Sequence, residues 1–71
     1  MTVKNRKVTR IQLANDKLRI SFTMWHNNMH KPNYTNLERE IDLPIGTISK
    51  WLSGRNINYD RLELIEELIN N

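Results

Sequence analysis

The 71-residue sequence contains no cysteine. Disulfides and thiolate metal sites are therefore excluded, and nothing about redox compartment follows from cysteine pairing. Only two glycines and two prolines are present; Pro32, Pro44 and Gly54 fall where helical patterns break, and Gly46 lies within an expected helix. No apolar run approaches the roughly 18 residues of a membrane span, and no signal-like apolar stretch stands at the N-terminus. A soluble, cytoplasmic protein with no membrane partner is the expectation. Repeats and low-complexity segments are also missing. Acids are scarce at the N-terminal end. From Met1 to Lys31 there is Asp16 alone, against Lys4, Arg6, Lys7, Arg10, Lys17, Arg19 and Lys31. From Asn58 onward the balance reverses, with Asp60, Glu63, Glu66 and Glu67 against Arg61. A cationic end and an anionic end favour an oriented approach to a polyanion.

A chain of this length makes one small domain and buries only about 60% of its unfolded surface. Dimerisation or ligand binding would add to its stability. Residues 1–8 hold Lys4, Arg6 and Lys7 with little apolar content. They read either as a frayed terminus or as a basic arm that wraps DNA or enters its minor groove. Residues 9–71 read as the folded domain, with no separate sensor or oligomerisation domain expected.

Thr9 and Gln12 fit a capping box. Ile11, Ala14, Leu18, Phe22, Trp25 and Met29 then step by three or four positions, one continuous helical stripe. One helix is expected from about residue 10 to 29, with a break near Asn15 as the alternative. Trp25 reads as a packing residue. His26 and His30 are four apart, a spacing that holds a metal or merely occupies a polar helix face. No third ligand lies at a convincing spacing, so no metal and no cofactor are expected.

The stretch from Tyr34 to Arg55 organises the rest. Leu37 and Ile41 share one face of a short helix. Thr35 is its expected N-cap, with Glu38 completing a capping box. Pro44 disfavours helix at Leu43 and suits the first turn of a new one. Ile48, Trp51 and Leu52 form the next apolar stripe, and Gly54 is a natural stop. Two short helices joined by about three residues are expected, the second over 44–53. That is a helix-turn-helix, within an all-α bundle of about four helices. Trp51 should be buried between them. The last helix starts at Asn58 or Tyr59, with Leu62, Ile65, Leu68 and Ile69 inward and Glu63, Glu66 and Glu67 outward. Leu64 with Leu68 offers a seam for a second copy.

LEREIDLPIGTISKW resembles the helix-turn-helix of the Cro and phage-repressor (XRE) family. Leu37, Ile41, Leu43, Ile48 and Trp51 stand at the family's core positions. The resemblance covers residues 34–55 and is weak elsewhere. The family usually has a small residue where Glu38 stands, although a subgroup reading Leu-Glu-Lys-Glu-Leu has Glu there, and a Gly where Asp42 stands. Asp tolerates left-handed geometry, so Asp42 is an acceptable substitute. The longer first helix is a further departure. Its extra turns would replace packing that the family obtains from a fifth helix near its C-terminus.

What the resemblance implies is a sequence-specific double-stranded DNA-binding protein. It would be a small transcriptional repressor or regulator of phage or mobile-element type, acting as a homodimer. Its recognition helix would enter the major groove. The outward face holds Ile45, Gly46, Thr47, Ser49 and Lys50 as base contacts. Thr47 and Ile45 suit thymine methyls, and Lys50 suits guanine O6 and N7 or a phosphate. Tyr34, Thr35, Ser53, Arg55 and Asn56 are placed for phosphates. Each of these polar residues reads equally well as part of a solvated face. Two other functions compete. One is a DNA-binding accessory factor in recombination, replication or packaging. The other is a helix-turn-helix-derived interaction module or inhibitor with a protein partner. An enzyme is least favoured, because candidate acid–base groups are scattered and the chain is too small for a convincing pocket.

Overall fold

The computed structural model describes residues 9–70. The arm residues Lys4, Arg6 and Lys7 lie outside the described residues. Among the described residues there are four helices and no strand: α1 Arg10–Asn28, α2 Tyr34–Glu40, α3 Thr47–Leu52 and α4 Tyr59–Ile69. The expected all-α bundle of four helices is what the chain forms.

Thr9 caps α1, its hydroxyl accepting from the Gln12 N–H at 3.2 Å. The helix continues unbroken through Asn15. That residue is fully buried and its amide is used on tertiary contacts. Phe22 is buried, and Ile11, Ala14, Leu18 and Trp25 pack half-buried against the core. Met29 departs from the expected stripe: it is the C-cap and is 53% exposed. His30 and Lys31 then take left-handed φ of 64° and 53°. The Lys31 N–H reaches back to the His26 carbonyl and the His30 N–H to that of Asn27, which closes the helix as a Schellman motif. His26 and His30 therefore do not share a helix face. His26 is buried between the Phe22 and Tyr34 rings, and its Nε2 lies 2.7 Å from the Pro32 carbonyl.

α2 is capped by Asn33 and not by Thr35. The Asn33 side chain accepts from the Thr35 N–H at 2.8 Å, so Thr35 lies inside the first turn. Asp42 has φ 61°. The Leu43 N–H bonds the Glu38 carbonyl at 2.8 Å, a second Schellman closure with Asp in the place glycine usually takes. The connection to α3 spans residues 41–46, six and not about three. α3 begins at Thr47, three residues after Pro44, because Gly46 adopts φ 93°. A left-handed residue cannot continue a right-handed helix, so the helix can start only after it. The expected helix over 44–53 is thus shortened to 47–52. Gly54 (φ 122°) ends it, the Arg55 N–H bonding the Lys50 carbonyl and the Gly54 N–H that of Trp51.

Phe22, Leu37, Leu43, Ile48, Trp51, Leu62, Ile65 and Leu68 form the core. Asn58 caps α4 through the Arg61 N–H. Leu68 is consumed by the core and Leu64 is half-buried against it, so these two do not form a free seam. An exposed apolar row lies instead on α1, where Leu13, Ile20 and Met24 are 47%, 65% and 63% exposed. Their spacings of seven and four place them on one face.

Candidate nucleic-acid interface

The α2–α3 unit is fixed by a carboxylate that local reading assigns elsewhere. Glu38 does not complete a capping box with Thr35. It is 1% exposed. Its Oε2 accepts from the Ile48 N–H at 2.8 Å and its Oε1 from the Gly46 N–H at 3.1 Å. Gly46 has no side chain to cap α3, so Glu38 supplies the acceptor from α2. Charge-assisted bonds to free N–H groups at the positive end of a helix offset the cost of burying the carboxylate. One side chain thereby sets the position of α3 relative to α2.

The far end of α3 is held as tightly. Trp51 is fully buried, and its Nε1 donates to Asn15 Oδ1 at 2.9 Å. The same oxygen accepts from the Ile57 N–H, while Asn15 Nδ2 donates to the Ile57 and Ile11 carbonyls. Arg19 Nε donates to the Trp51 carbonyl, and its Nη2 to Asn56 Oδ1 at 2.9 Å. Its Nη1 pairs with Asp16 at 2.8 Å. Arg19 is thus committed to the interior side of α3 and does not belong with the surface cations. Sequence reasoning missed Asn15 and Arg19 as anchors. The one signal present was a polar residue on a helix otherwise striped apolar at that angle, with Phe22 seven positions on.

With both ends anchored, the outward face of α3 is free. Ser49 and Lys50 are exposed, Thr47 is half-buried, and Ile45 just before the helix is 61% exposed. Gly46 is half-buried, its N–H given to Glu38 and its carbonyl to the Lys50 N–H. It can offer a ligand close approach but no polar group. Ser53 is exposed, but its hydroxyl donates to the Lys50 carbonyl at 2.7 Å. Arg55 and Asn56 are exposed just beyond the helix. Tyr34 and Thr35 lie apart from this group. They stand at the start of α2 beside His26 and Lys31, around a shallow hollow. The predicted contacts therefore form two clusters, a main one along α3 and its exit and a smaller one at the start of α2. No group of three or more His, Asp or Glu side chains able to hold a metal occurs among the described residues. None of the described helices is long and apolar enough to cross a membrane. No protein-family model, curated protein or solved structure matches this chain.

Proposed function

We propose that this chain is a sequence-specific double-stranded DNA-binding protein, a small regulator of the Cro and phage-repressor kind without enzymatic activity. The observation that carries the reading is the α2–α3 unit. Glu38 locks one end of α3 and Asn15 with Arg19 the other. What they leave outward is a small, polar, acid-free face of Thr47, Ser49 and Lys50. A helix of six residues is about 9 Å long, and a groove about 12 Å wide admits it with its outward side chains on base edges. Thr47, Ser49 and Ile45 meet bases, and Lys50 meets a base edge or a phosphate. Arg55 and Asn56 hold the backbone on one side, and Tyr34 and Thr35 on the other. As a homodimer the protein reads two half-sites about one helical turn apart. With Leu68 in the core, the surface that supports such a dimer is the apolar row on α1 and not the α4 seam.

The test is fluorescence anisotropy on the duplex upstream of the protein's own coding sequence and on a scrambled duplex, across a salt series. Specific readout gives tight binding to the first duplex, with discrimination lost in Thr47→Ala. Equal, salt-sensitive binding to both duplexes indicates an accessory or architectural role. Absence of binding to either at low salt sinks the reading.

A further inference from the structure

Three cations from separate elements converge on one concavity. A hollow of about 380 Å³ runs along α3 to the start of α4. Lys50, Arg55 and Arg61 line it, together with Thr47, Asn56 and Asn58, and no carboxylate of the described residues does. The ion pair among the described residues, Arg19 with Asp16, lies elsewhere. These cations therefore gather without a neutralising side chain among the described residues.

The position of Arg61 follows from helix geometry. It stands four residues before Ile65 and seven before Leu68, on the same stripe that carries the core. Leu62 beside it turns into the core, while Arg61 stands at the outer edge of that stripe, exposed and directed toward α3. Asp60 in the same turn faces the other way and lines the groove between α1 and α4 with Glu63 and Glu66. The last helix is thus split into an acidic side and a single cation aimed at the exit of α3. That cation also sits in the first turn of α4, where the positive end of the helix disfavours it. An anion with several acceptor oxygens relieves both repulsions, and planar guanidinium groups match phosphate in a two-bond fork.

We propose that Lys50, Arg55 and Arg61 form a clamp for one backbone phosphodiester of duplex DNA. The identity of the ligand rests on the function proposed above. The clamp assigns Lys50 to the backbone, so sequence discrimination falls to Ile45, Thr47 and Ser49. It also brings Arg61 of the otherwise acidic helix into the interface.

Two measurements on the full chain test this. In the first, inorganic pyrophosphate is titrated while arginine Nε–H signals are followed by NMR. Arg55 and Arg61 should shift together, with Arg10 and Arg39 as unmoved controls. In the second, Arg61→Gln and Lys50→Ala are compared with wild type on the native and scrambled duplexes. Each should weaken binding several-fold and equally on both, and each should lower the slope of log K against log salt by up to about 0.9, the value for one neutralised phosphate. An unchanged affinity and slope in Arg61→Gln, with Thr47→Ala still losing discrimination, overturns the clamp and leaves the function intact. A loss confined to the native duplex in Lys50→Ala also overturns it, because Lys50 would then be reading a base. If wild type binds neither duplex, the function fails and pyrophosphate decides alone. Paired Arg55 and Arg61 shifts then uphold an anion site for free phosphates, and their absence overturns it.

Discussion

Asn15 and Trp51 meet through a hydrogen bond of 2.9 Å across 36 positions of sequence. Asn15 satisfies four partners at once, with Oδ1 taking Trp51 Nε1–H and the Ile57 N–H and Nδ2 serving the Ile11 and Ile57 carbonyls. An amide is the one short side chain with two donors and an acceptor that takes two bonds. Asn15→Ala strands the buried Trp51 Nε1–H and the part-buried Ile57 N–H, which should lower unfolding free energy by about 3 kcal/mol. Asn15→Asp keeps the acceptors but loses both donors and sets a carboxylate against two carbonyls, so it should be no more stable than Ala. Urea unfolding followed by tryptophan fluorescence gives both values. An Asn15→Asp variant as stable as wild type contradicts this account of the site.

Glu38 invites a paired comparison. Glu38→Ala removes the cap of α3 and leaves the Gly46 and Ile48 N–H groups without their partner. A loss of about 2–4 kcal/mol is expected from stranded buried donors and a small cavity. Glu38→Gln preserves shape but offers one carbonyl oxygen and turns an NH2 against an N–H. Its loss should be smaller, about 1–2 kcal/mol. Because the cap orients α3, the proposed function predicts that the DNA affinity of both variants falls even at temperatures where they remain folded. Thermal unfolding by circular dichroism and anisotropy at a low temperature separate the two effects.

These two residues also show where sequence reading stops. Leu37, Ile48, Trp51, Leu62, Ile65 and Leu68 were legible as core because helical periodicity reports on neighbours three and four positions away. The exposed polar face of α3 was legible for the same reason. Asn15, Arg19 and Glu38 were not, since the partners that tie them to other elements stand between 8 and 42 positions away and no spacing rule reaches them. Glu38 was further obscured by Thr35, which offered a local capping pattern that Asn33 displaced. Pro44 misled in a similar way. Its ring suits a first helical turn, but the left-handed Gly46 two residues later decides where α3 begins.

The left-handed positions predict effects of opposite sign. Gly46 has φ 93°, and a Cβ there would meet no atom within 4 Å. The cost of Gly46→Ala is therefore backbone strain alone, about 1–2 kcal/mol. Asp42 has φ 61° and closes α2 where glycine is most at ease. Asp42→Gly removes that strain, with a gain of up to about 1 kcal/mol reduced by the added flexibility of the unfolded chain. Melting temperatures of the two variants should move apart on either side of wild type. A fall in both would show that the Asp42 carboxylate makes a contribution larger than its backbone strain.

Arg19 separates charge from geometry. Its guanidinium reaches three acceptors in three directions: the Trp51 carbonyl, Asn56 Oδ1 and Asp16 Oδ1 at 2.8 Å. It also stands over the Trp51 ring, 5.7 Å from the centroid. A lysine keeps the charge but has no fork and cannot span these acceptors. Arg19→Lys should therefore cost about 1–2 kcal/mol of stability, the scale for hydrogen bonds from a charged donor. Under the proposed function, long-range attraction to DNA should be unchanged, so the association rate and its salt dependence should match wild type. What should change is dissociation. With Asn56 and the exit of α3 no longer tied to α1, Arg55 and Asn56 lose their fixed position, and the complex should release faster. Stopped-flow kinetics with wild type, Arg19→Lys and the exposed control Arg10→Lys read these terms apart. A slower association rate in Arg19→Lys with dissociation unchanged would mean that Arg19 acts through its charge and not through the position it gives the loop after α3.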